Sequence, residues 1–329
     1  MARARPRAGA VRPTPSQPAS KYDTRPIDSS PYPLSLPAQG QDPDQTSIRF
    51  MGGAMVVLVL AAYMIVVPLV NAAVIYLGFR VDSATDWTAY QAEATSYSNV
   101  WGVLAFHLSL AVMILVVWAF FHFLNRRRMA WMWSVTPGVR WRYAVLCFVS
   151  ALIVVGAVAV YHAVRGLTWN PPAGWGWYVL VIAVTTPFQA LAEEVIFRGY
   201  LMQAFGAIVR NVWFPILATA VVFALFHGVQ NPWLFSSRFV FGVLAGILVW
   251  KTGGLEAGIA IHVANNLGAF ALALFTGTLA QARTATSATW TQSLADVVLF
   301  AVCALICWLI ARRLKVPALV PAVSGSRRR

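Results

Sequence analysis

The chain of 329 residues is 59% hydrophobic and only 11% charged. Soluble domains carry roughly 25% charged residues, so this composition excludes an ordinary soluble protein and predicts an all-α, polytopic membrane helical bundle. The formal net charge of +14 would favour nucleic acid if it were clustered, but the basic residues lie at the ends of apolar runs, as membrane topology demands. We therefore expect a lipid bilayer, and no nucleic acid, among its partners.

The first 48 residues are rich in Pro, Ser and Arg and show no apolar periodicity. Such a composition cannot bury enough surface to fold, so residues 1–48 are predicted to be a disordered, basic cytoplasmic tail. The segment has no apolar core near its start and does not resemble a secretory signal peptide. A second basic cytoplasmic tail is predicted at residues 316–329.

Eight apolar runs follow the first tail, and a helix needs roughly 20 residues to cross a bilayer. They predict about eight transmembrane helices: three with their loops over residues 49–175, a core over 176–275 and a last helix within 276–315. The fourth run continues past a charged motif, and the sixth is short. The runs are 50–77, 98–124, 143–163, 177–203, 212–228, 237–250, 255–275 and 294–311.

The distribution of Lys and Arg predicts the orientation of these helices. In an eight-pass arrangement every basic cluster falls on one side, so the positive-inside rule places both termini in the cytoplasm of a multi-pass cell-membrane protein. The inner residues are Arg3, Arg5, Arg7, Arg12, Lys21, Arg25, Arg49, Arg126–Arg128, Arg140, Arg142, Arg210, Lys251, Arg312, Arg313, Lys315 and Arg327–Arg329. The outer loops carry Arg80, Arg165, Arg238 and Arg283.

The fourth run contains two adjacent carboxylates, Glu193 and Glu194, followed by Arg198. Ionisable groups at membrane depth are costly and indicate a functional site. Glu194 and Arg198 are spaced i,i+4 in the order that favours an ion pair, while Glu193 is rotated by about 100° and faces another surface. One carboxylate is then held by the arginine and the other is available for proton chemistry. The alternative is that the motif caps the inner end of the helix at the lipid interface.

Two later runs bring further polar side chains to similar depth. His227 ends the fifth run, one turn after Phe223, and by itself is typical of an interfacial residue. His262 and Asn266 are spaced i,i+4 on one face of the seventh run, where bridging between helices is the alternative to a site.

Together these three segments contain what a water-activating hydrolytic site requires: a base, an orienting group and donors for an oxyanion. Glu193, His227 and His262 could also bind a divalent metal such as Zn²⁺. Their spacing does not match the HExxH pattern of soluble zinc proteases, so a metal stays open.

Other polar and small residues favour packing. Cys147, Cys303 and Cys307 lie inside apolar runs and are expected to be buried thiols. Gly242 and Gly246 form a small-xxx-small pair that allows close helix approach. His107, His122 and His162 form no constellation with a polar residue at i+4 and are expected to pack or to lie at the interface.

The ordered motifs Glu193-Glu194-xxx-Arg198, Phe223-xxx-His227 and His262-xxx-Asn266 resemble those of the CPBP (Abi) intramembrane proteases. That family includes the type II CAAX prenyl endopeptidases and bacteriocin-immunity proteins. The flanking residues Phe197-Arg198-Gly199 and 252–255 also agree, and the resemblance covers roughly residues 176–275.

The resemblance implies a helical intramembrane endopeptidase with a conical cavity open to the cytoplasmic leaflet. It implies that Glu193 activates water with His227 alongside it, and that His262 and Asn266 stabilise the oxyanion. Glu194, Arg198 and Phe223 would support the site. The family is described both as metalloproteases and as glutamate-dependent enzymes, so metal binding by Glu193, His227 and His262 is left open.

The expected substrate is a membrane-anchored protein or peptide, and prenylated CAAX proteins are not favoured. A second hypothesis is a non-catalytic immunity or scaffold protein of the same fold that binds a peptide or partner. A third is an ion-coupled transporter that uses the same carboxylates as a proton relay. Transporters of that kind usually show internal repeats, which this sequence lacks.

Overall fold

The computed structural model describes residues 31–35, 45–126 and 128–320, and within them it leaves out the side chains of residues 45, 48, 162 and 163. The regular structure of this part is helical, with two isolated β-bridges and no named strand. The predicted all-α membrane bundle is confirmed. The helices are α1 (Gln45–Val81), α2 (Trp87–Thr95), α3 (Val100–Ala119), α4 (Ala130–Trp133), α5 (Trp141–Val164), α6 (Trp175–Glu194), α7 (Met202–Ile208), α8 (Trp213–Leu225), α9 (Pro232–Thr252), α10 (Glu256–Phe275), α11 (Leu279–Thr284) and α12 (Trp290–Arg313).

Two π-helical stretches extend the α-helices. Phe120–Leu124 continues α3, and Val195–Leu201 joins α6 to α7. Trp175–Ile208 is therefore one helical rod of 34 residues, and the prediction that the fourth run continues past its charged motif is confirmed.

Among the described residues, seven helical segments are long and apolar enough to cross a membrane. The predicted fifth span, 212–228, instead forms the 13-residue helix α8, which at 1.5 Å per residue is about 20 Å long. The turn at Phe226 and Gly228, where Gly228 has a φ of 82°, ends it early. Eight apolar helices are thus present, but α8 is shorter than a bilayer is thick.

The sixth span is longer than its apolar run indicated. Helix α9 begins at Pro232 and not near residue 237, because Asn231 caps it by accepting a hydrogen bond from the amide of Leu234 at 3.0 Å. Proline is favoured at the first helical position. The first turns also contain Ser236, Ser237 and Arg238, whose polarity shortened the predicted run.

The helix ends that carry the predicted inner basic clusters meet at one end of the bundle, here called the basic end. Arg140, before α5, pairs with Glu256 at the start of α10 at 2.5 Å. It also donates to the carbonyl of Pro317, after α12, at 3.1 Å. The amide nitrogen of Asn125, after α3, lies 3.1 Å from the sulfur of Met55 near the start of α1.

The opposite end, here called the far end, consists of the connections 82–99, 165–174, 226–231 and 276–289. Trp169 stacks on Phe275, with ring centroids 4.6 Å apart. Asn231 donates its amide to the carbonyl of Thr286 at 2.8 Å. These contacts tie the end of α10 and the connections 165–174, 226–231 and 276–289 together at this end of the bundle.

The basic end is closed by segments that pack across the helix ends. Met132 and Val135 are buried, and a Cβ on Gly199 would lie 2.5 Å from the sulfur of Met132. Tyr32 is completely buried and donates a hydrogen bond to the carbonyl of Met132. The prediction of disorder over residues 1–48 is therefore wrong for 31–35, because Tyr32 supplies an aromatic anchor. The other tail residues, apart from the start of α1 at Gln45, lie outside the described part, as do residues 321–329.

Small residues set the approach of α8 to α9, as predicted. A Cβ on Gly242 would lie 2.9 Å from the Cα of Ala220, and one on Gly246 would lie 3.1 Å from Ile216. Cys147, Cys303 and Cys307 are buried, free thiols, which confirms their predicted packing role. On the outside of the bundle, large apolar side chains stay exposed along α1 and α5, as a lipid-facing surface requires.

Two of the three remaining histidines can be placed. His107 is fully buried, and its Nδ1 lies 2.6 Å from the hydroxyl of Thr185, so the predicted packing role is confirmed. His122 stacks on Trp118 with ring centroids 5.6 Å apart. The side chain of His162 lies outside the described part.

Candidate active site

The site is built around the junction of α6 with the π-helical turns Val195–Leu201. A π-helical stretch widens the helix, and such stretches are frequent at functional sites. Glu193 is 7% exposed, and Glu194 and Arg198 are completely buried. The alternative that this motif caps a helix at the lipid interface is wrong, since all three side chains are enclosed by protein.

Glu194 is held from two sides. Its Oε1 accepts a hydrogen bond from Nη1 of Arg198 at 2.9 Å, which confirms the predicted i,i+4 ion pair. The same oxygen lies 2.8 Å from Nδ1 of His262 on α10. Because a carboxylate oxygen accepts, Nδ1 of His262 donates, and the imidazole is fixed in one orientation.

Arg198 is further supported by aromatic rings. Its guanidinium carbon lies 4.2 Å from the ring centroid of Phe223 and 5.2 Å from that of Phe241. Such cation–π contacts stabilise a desolvated guanidinium. Phe223 therefore contacts the buried ion pair, while its own helix ends at the site beside His227.

Glu193 faces away from the ion pair and into a cavity, as its rotation predicted. Its Oε1 accepts a hydrogen bond from Nε2 of Gln189 at 2.6 Å. Its Oε2 accepts no hydrogen bond from the described residues and lies 3.4 Å from Nε2 of His262. His262 thus lies between the two carboxylates, with one ring nitrogen directed to each.

Gln189 links Glu193 to Asn266. The Oε1 of Gln189 accepts a hydrogen bond from Nδ2 of Asn266 at 2.9 Å. Sequence reasoning missed Gln189, although its position four residues before Glu193 puts both side chains on one face of α6. Asn265 also donates to Oδ1 of Asn266 at 3.2 Å.

His227 lies in the turn after α8. Its Nδ1 lies 2.8 Å from the carbonyl oxygen of Phe223, and since a carbonyl only accepts, Nδ1 carries a proton. In the neutral imidazole this leaves Nε2 as an acceptor. The ring lines the same cavity as Glu193, His262 and Asn266.

The cavity has a volume of about 490 Å³ and is lined by aromatic rings together with a similar number of polar or charged side chains. From Glu193 it extends past Phe270 and Ala273 of α10 to Ala282 and Arg283 of α11. Further lining residues include Tyr97, Arg238 and Asp296. Tyr97 lies in the connection between α2 and α3, and burial raises the pKa of its hydroxyl above the usual range.

The grouping of the side chains determines whether the site could hold a metal ion. Within the described ranges no three His, Cys, Asp or Glu side chains are grouped to hold a metal. Nδ1 of His262 is bonded to Glu194 and Nδ1 of His227 to a backbone carbonyl, which leaves Nε2 of each ring, and such bonds are also usual for metal-bound histidines. The grouping of the side chains, and not their hydrogen bonds, is what does not fit the proposed ligand set of Glu193, His227 and His262.

The residues of the site lie in the part of the chain that matches a known protein family. Residues 175–268 match a family model described as type II CAAX prenyl endopeptidase Rce1-like, and this segment contains all seven motif residues. The chain is also 33% identical over 98 residues to an uncharacterized protein, YyaK, of Bacillus subtilis (strain 168). That similarity covers 28% of this chain and 32% of the relative, so the chain spans about a third of the length of the relative. No solved structure matches.

Proposed function

Because residues 175–268 belong to the Rce1-like family of type II CAAX prenyl endopeptidases, we propose that this protein is an intramembrane endopeptidase in which Glu193 activates the attacking water. One observation carries the proposal. Gln189 fixes one oxygen of Glu193, while the other oxygen is left without a hydrogen bond from the described residues and borders the cavity. A carboxylate held in this way can accept a proton from water.

The proposed reaction is hydrolysis of a peptide bond. Glu193 removes one proton from water, and the hydroxyl oxygen bonds to the carbonyl carbon. The C–N bond then breaks, and the proton held by Glu193 passes to the leaving nitrogen. His227 lies on the same cavity, and its Nε2 is the acceptor that would orient the water beside Glu193.

The oxyanion is assigned to His262 and Asn266. Asn266 uses one N–H on Gln189, and its second N–H is the donor for the developing negative charge. When the proton near Nε2 of His262 and Oε2 of Glu193 lies on the imidazole, that ring supplies a second donor. Preorganised donors of this kind typically contribute 10²- to 10³-fold each, or roughly 3–4 kcal/mol.

Glu194, Arg198 and Phe223 are assigned a positioning role. Glu194 anchors His262, Arg198 neutralises Glu194, and Phe223 covers the guanidinium. Zinc would supply Lewis-acid activation of water if it were bound, but the side chains are not grouped as its ligands, and no step here uses it.

The proposed substrate is a membrane-anchored protein or peptide, because the site lies within a bundle whose outer surface suits lipid. The protein is proposed to be a multi-pass cell-membrane protein with both termini in the cytoplasm. Apart from residues 31–35 and the start of α1 at Gln45, the division into tails at 1–48 and 316–329, spans over 49–175, a protease core over 176–275 and a last span within 276–315 is proposed likewise.

The test is a cleavage screen with purified protein in detergent and a library of membrane-anchored peptides. Wild type is compared with Glu193→Gln, which preserves shape but removes the base, and with Glu93→Gln, which changes an exposed carboxylate on α2. We expect cleavage by wild type and Glu93→Gln but none by Glu193→Gln, with equal thermal stability for all three. Equal cleavage by Glu193→Gln would refute the proposal. No cleavage by any protein would favour the non-catalytic binding hypothesis.

A further inference from the structure

Two arginines line the cavity and form no ion pair with a carboxylate among the described residues, although Glu193 acts electrostatically on Arg238. Arg238, in the second turn of α9, is half-buried and donates from Nη1 to the amide oxygen of Gln230 at 2.6 Å. Arg283, on α11, lies with its guanidinium carbon 5.4 Å from the ring centroids of both Tyr97 and Phe106. The direct contacts of both arginines are thus with uncharged groups.

An arginine held in this way keeps N–H donors for a ligand. The guanidinium is planar and matches a carboxylate through two parallel hydrogen bonds. Asp296 lines the same cavity but forms no ion pair with either arginine in the described part of the chain. Both arginines lie near the far end of the bundle, Arg238 in the second turn of α9 and Arg283 on α11.

We propose that Arg238 and Arg283 form a carboxylate-binding subsite that selects the substrate. This proposal rests on the proposed function, because the subsite opens onto the same cavity as Glu193. The carboxylate is either the chain terminus of the peptide or an acidic side chain next to the scissile bond. Hydrogen bonds to charged groups contribute more than those between neutral groups, so the preference is measurable.

The test measures binding, so that it does not depend on turnover. Three apolar tetrapeptides with an uncharged fluorophore are titrated onto the Glu193→Gln protein in detergent, and anisotropy is recorded. One has a free carboxyl terminus, the second is amidated, and the third is amidated but carries one Asp. We expect the first or third to bind at least about fivefold more tightly than the second, and which of them binds identifies the source of the carboxylate.

Variants then assign the effect to the arginines. Adding Arg238→Gln or Arg283→Gln is expected to abolish the preference, whereas adding Asp296→Asn is expected to keep or strengthen it. Equal affinity for all three peptides, absence of binding, or a preference that survives both arginine substitutions would overturn the subsite. If the peptides show the carboxylate preference but wild type cleaves none of them, the subsite stands and the proposed endopeptidase activity is refuted.

The position of the cavity carries a second, independent inference. The cavity reaches the far end at α11, whereas the basic end is closed by Tyr32, Met132 and Val135. Positive charge is expected on the cytoplasmic side, which puts the far end outside. The cytoplasmic opening implied by the family resemblance and the orientation predicted from charge are therefore incompatible in this chain.

We infer that the orientation in the membrane follows the charge distribution, so that the far end lies outside. Substrate then reaches Glu193 from the non-cytoplasmic face. His262 lies six residues after Glu256 and so about 9 Å from the basic end, while Phe275 is about 20 Å further along α10. A peptide from the far end then follows the cavity for most of the membrane thickness. This inference deepens the proposed function by naming the side from which the substrate comes.

Cysteine labelling tests the entry side without any cleavage assay. Ala282→Cys places a thiol on an exposed lining position of α11, and Leu319→Cys places one at the basic end; the native thiols are buried. Intact cells are treated with a membrane-impermeant maleimide. We expect labelling of Ala282→Cys in intact cells and of Leu319→Cys only after the membrane is opened. The reverse pattern, or no labelling of Ala282→Cys under either condition, would overturn the inference.

Discussion

The Nδ1 atom of His262 lies 2.8 Å from Oε1 of Glu194, although the two residues are 68 positions apart in the chain. This contact joins α10 to α6 at the centre of the bundle. It also turns the second ring nitrogen towards Glu193, at 3.4 Å. The carboxylate that forms the ion pair therefore orients the histidine that faces the other carboxylate, so the two adjacent glutamates have different tasks.

Glu194→Gln should destabilise the protein strongly. Arg198 would become a buried charge without its carboxylate, and removing one partner of a buried ion pair costs about 3–5 kcal/mol. Both side chains are completely buried, so solvent offers no compensation. The free energy of unfolding, measured by titration with SDS, is expected to fall by about that amount.

The double variant Glu194→Gln, Arg198→Gln provides the control. If the two residues act as a pair, the double variant is less destabilised than the sum of the single variants. Strict additivity would contradict a coupled ion pair.

Gln189→Leu should lower kcat by about tenfold or more and leave KM nearly unchanged. Gln189 contacts Glu193 and Asn266 at 2.6 and 2.9 Å, so its loss releases both the base and an oxyanion donor without removing either. Steady-state kinetics on a peptide from the cleavage screen measure this split.

Thr186→Val is the matched control on α6. Thr186 is buried, and its hydroxyl has no partner in the described part of the chain, so kcat should not change. An equal loss of kcat in both variants, or a rise in KM alone for Gln189→Leu, would show that Gln189 does not position the site.

Gly242→Ala should destabilise the contact between α8 and α9 by roughly 1–3 kcal/mol, the usual cost of overpacking. The new Cβ would lie 2.9 Å from Cα of Ala220, which is backbone and cannot move alone. Gly53→Ala on α1 meets nothing within 4 Å and is expected to be neutral or slightly stabilising. Thermal melting in detergent compares the two, and an unchanged midpoint for Gly242→Ala would disprove the close approach.

Chelation of divalent metals should leave cleavage and thermal melting unchanged. This expectation follows from the side chains, since no three metal-binding residues are grouped in the described ranges. The measurement is activity before and after dialysis against EDTA, with metal content recorded on the same samples. Loss of activity on dialysis with recovery on added zinc would show that the site rearranges around a metal.

The spanning helices and the motif pairs could be predicted because both depend on local spacing. Apolar runs located most helices, and the i,i+4 rule placed Glu194 with Arg198. The start of α9 was missed because Ser236, Ser237 and Arg238 interrupt the apolar run, although Asn231 and Pro232 form a recognisable helix start. The end of α8 was placed too late because the apolar run continues to Phe226 after the helix has ended at Leu225.

Contacts between residues far apart in the chain could not be predicted from the sequence. Gln189 is one of several polar residues in α6, and only the fold shows that it bridges Glu193 and Asn266. The closed basic end depends on Tyr32 packing on Met132, a contact across 100 positions that no periodicity indicates. The direction of the cavity follows from that closure, which explains why it could not be predicted from the motifs.

The most direct test of water activation by Glu193 is the single-turnover rate of peptide cleavage by wild type and Glu193→Gln in water enriched in ¹⁸O. The account predicts one ¹⁸O atom in each new carboxyl terminus from wild type and a rate at least about 10³-fold lower for Glu193→Gln. A Glu193→Gln rate within about tenfold of wild type, with the same ¹⁸O incorporation, would contradict the central role of this carboxylate.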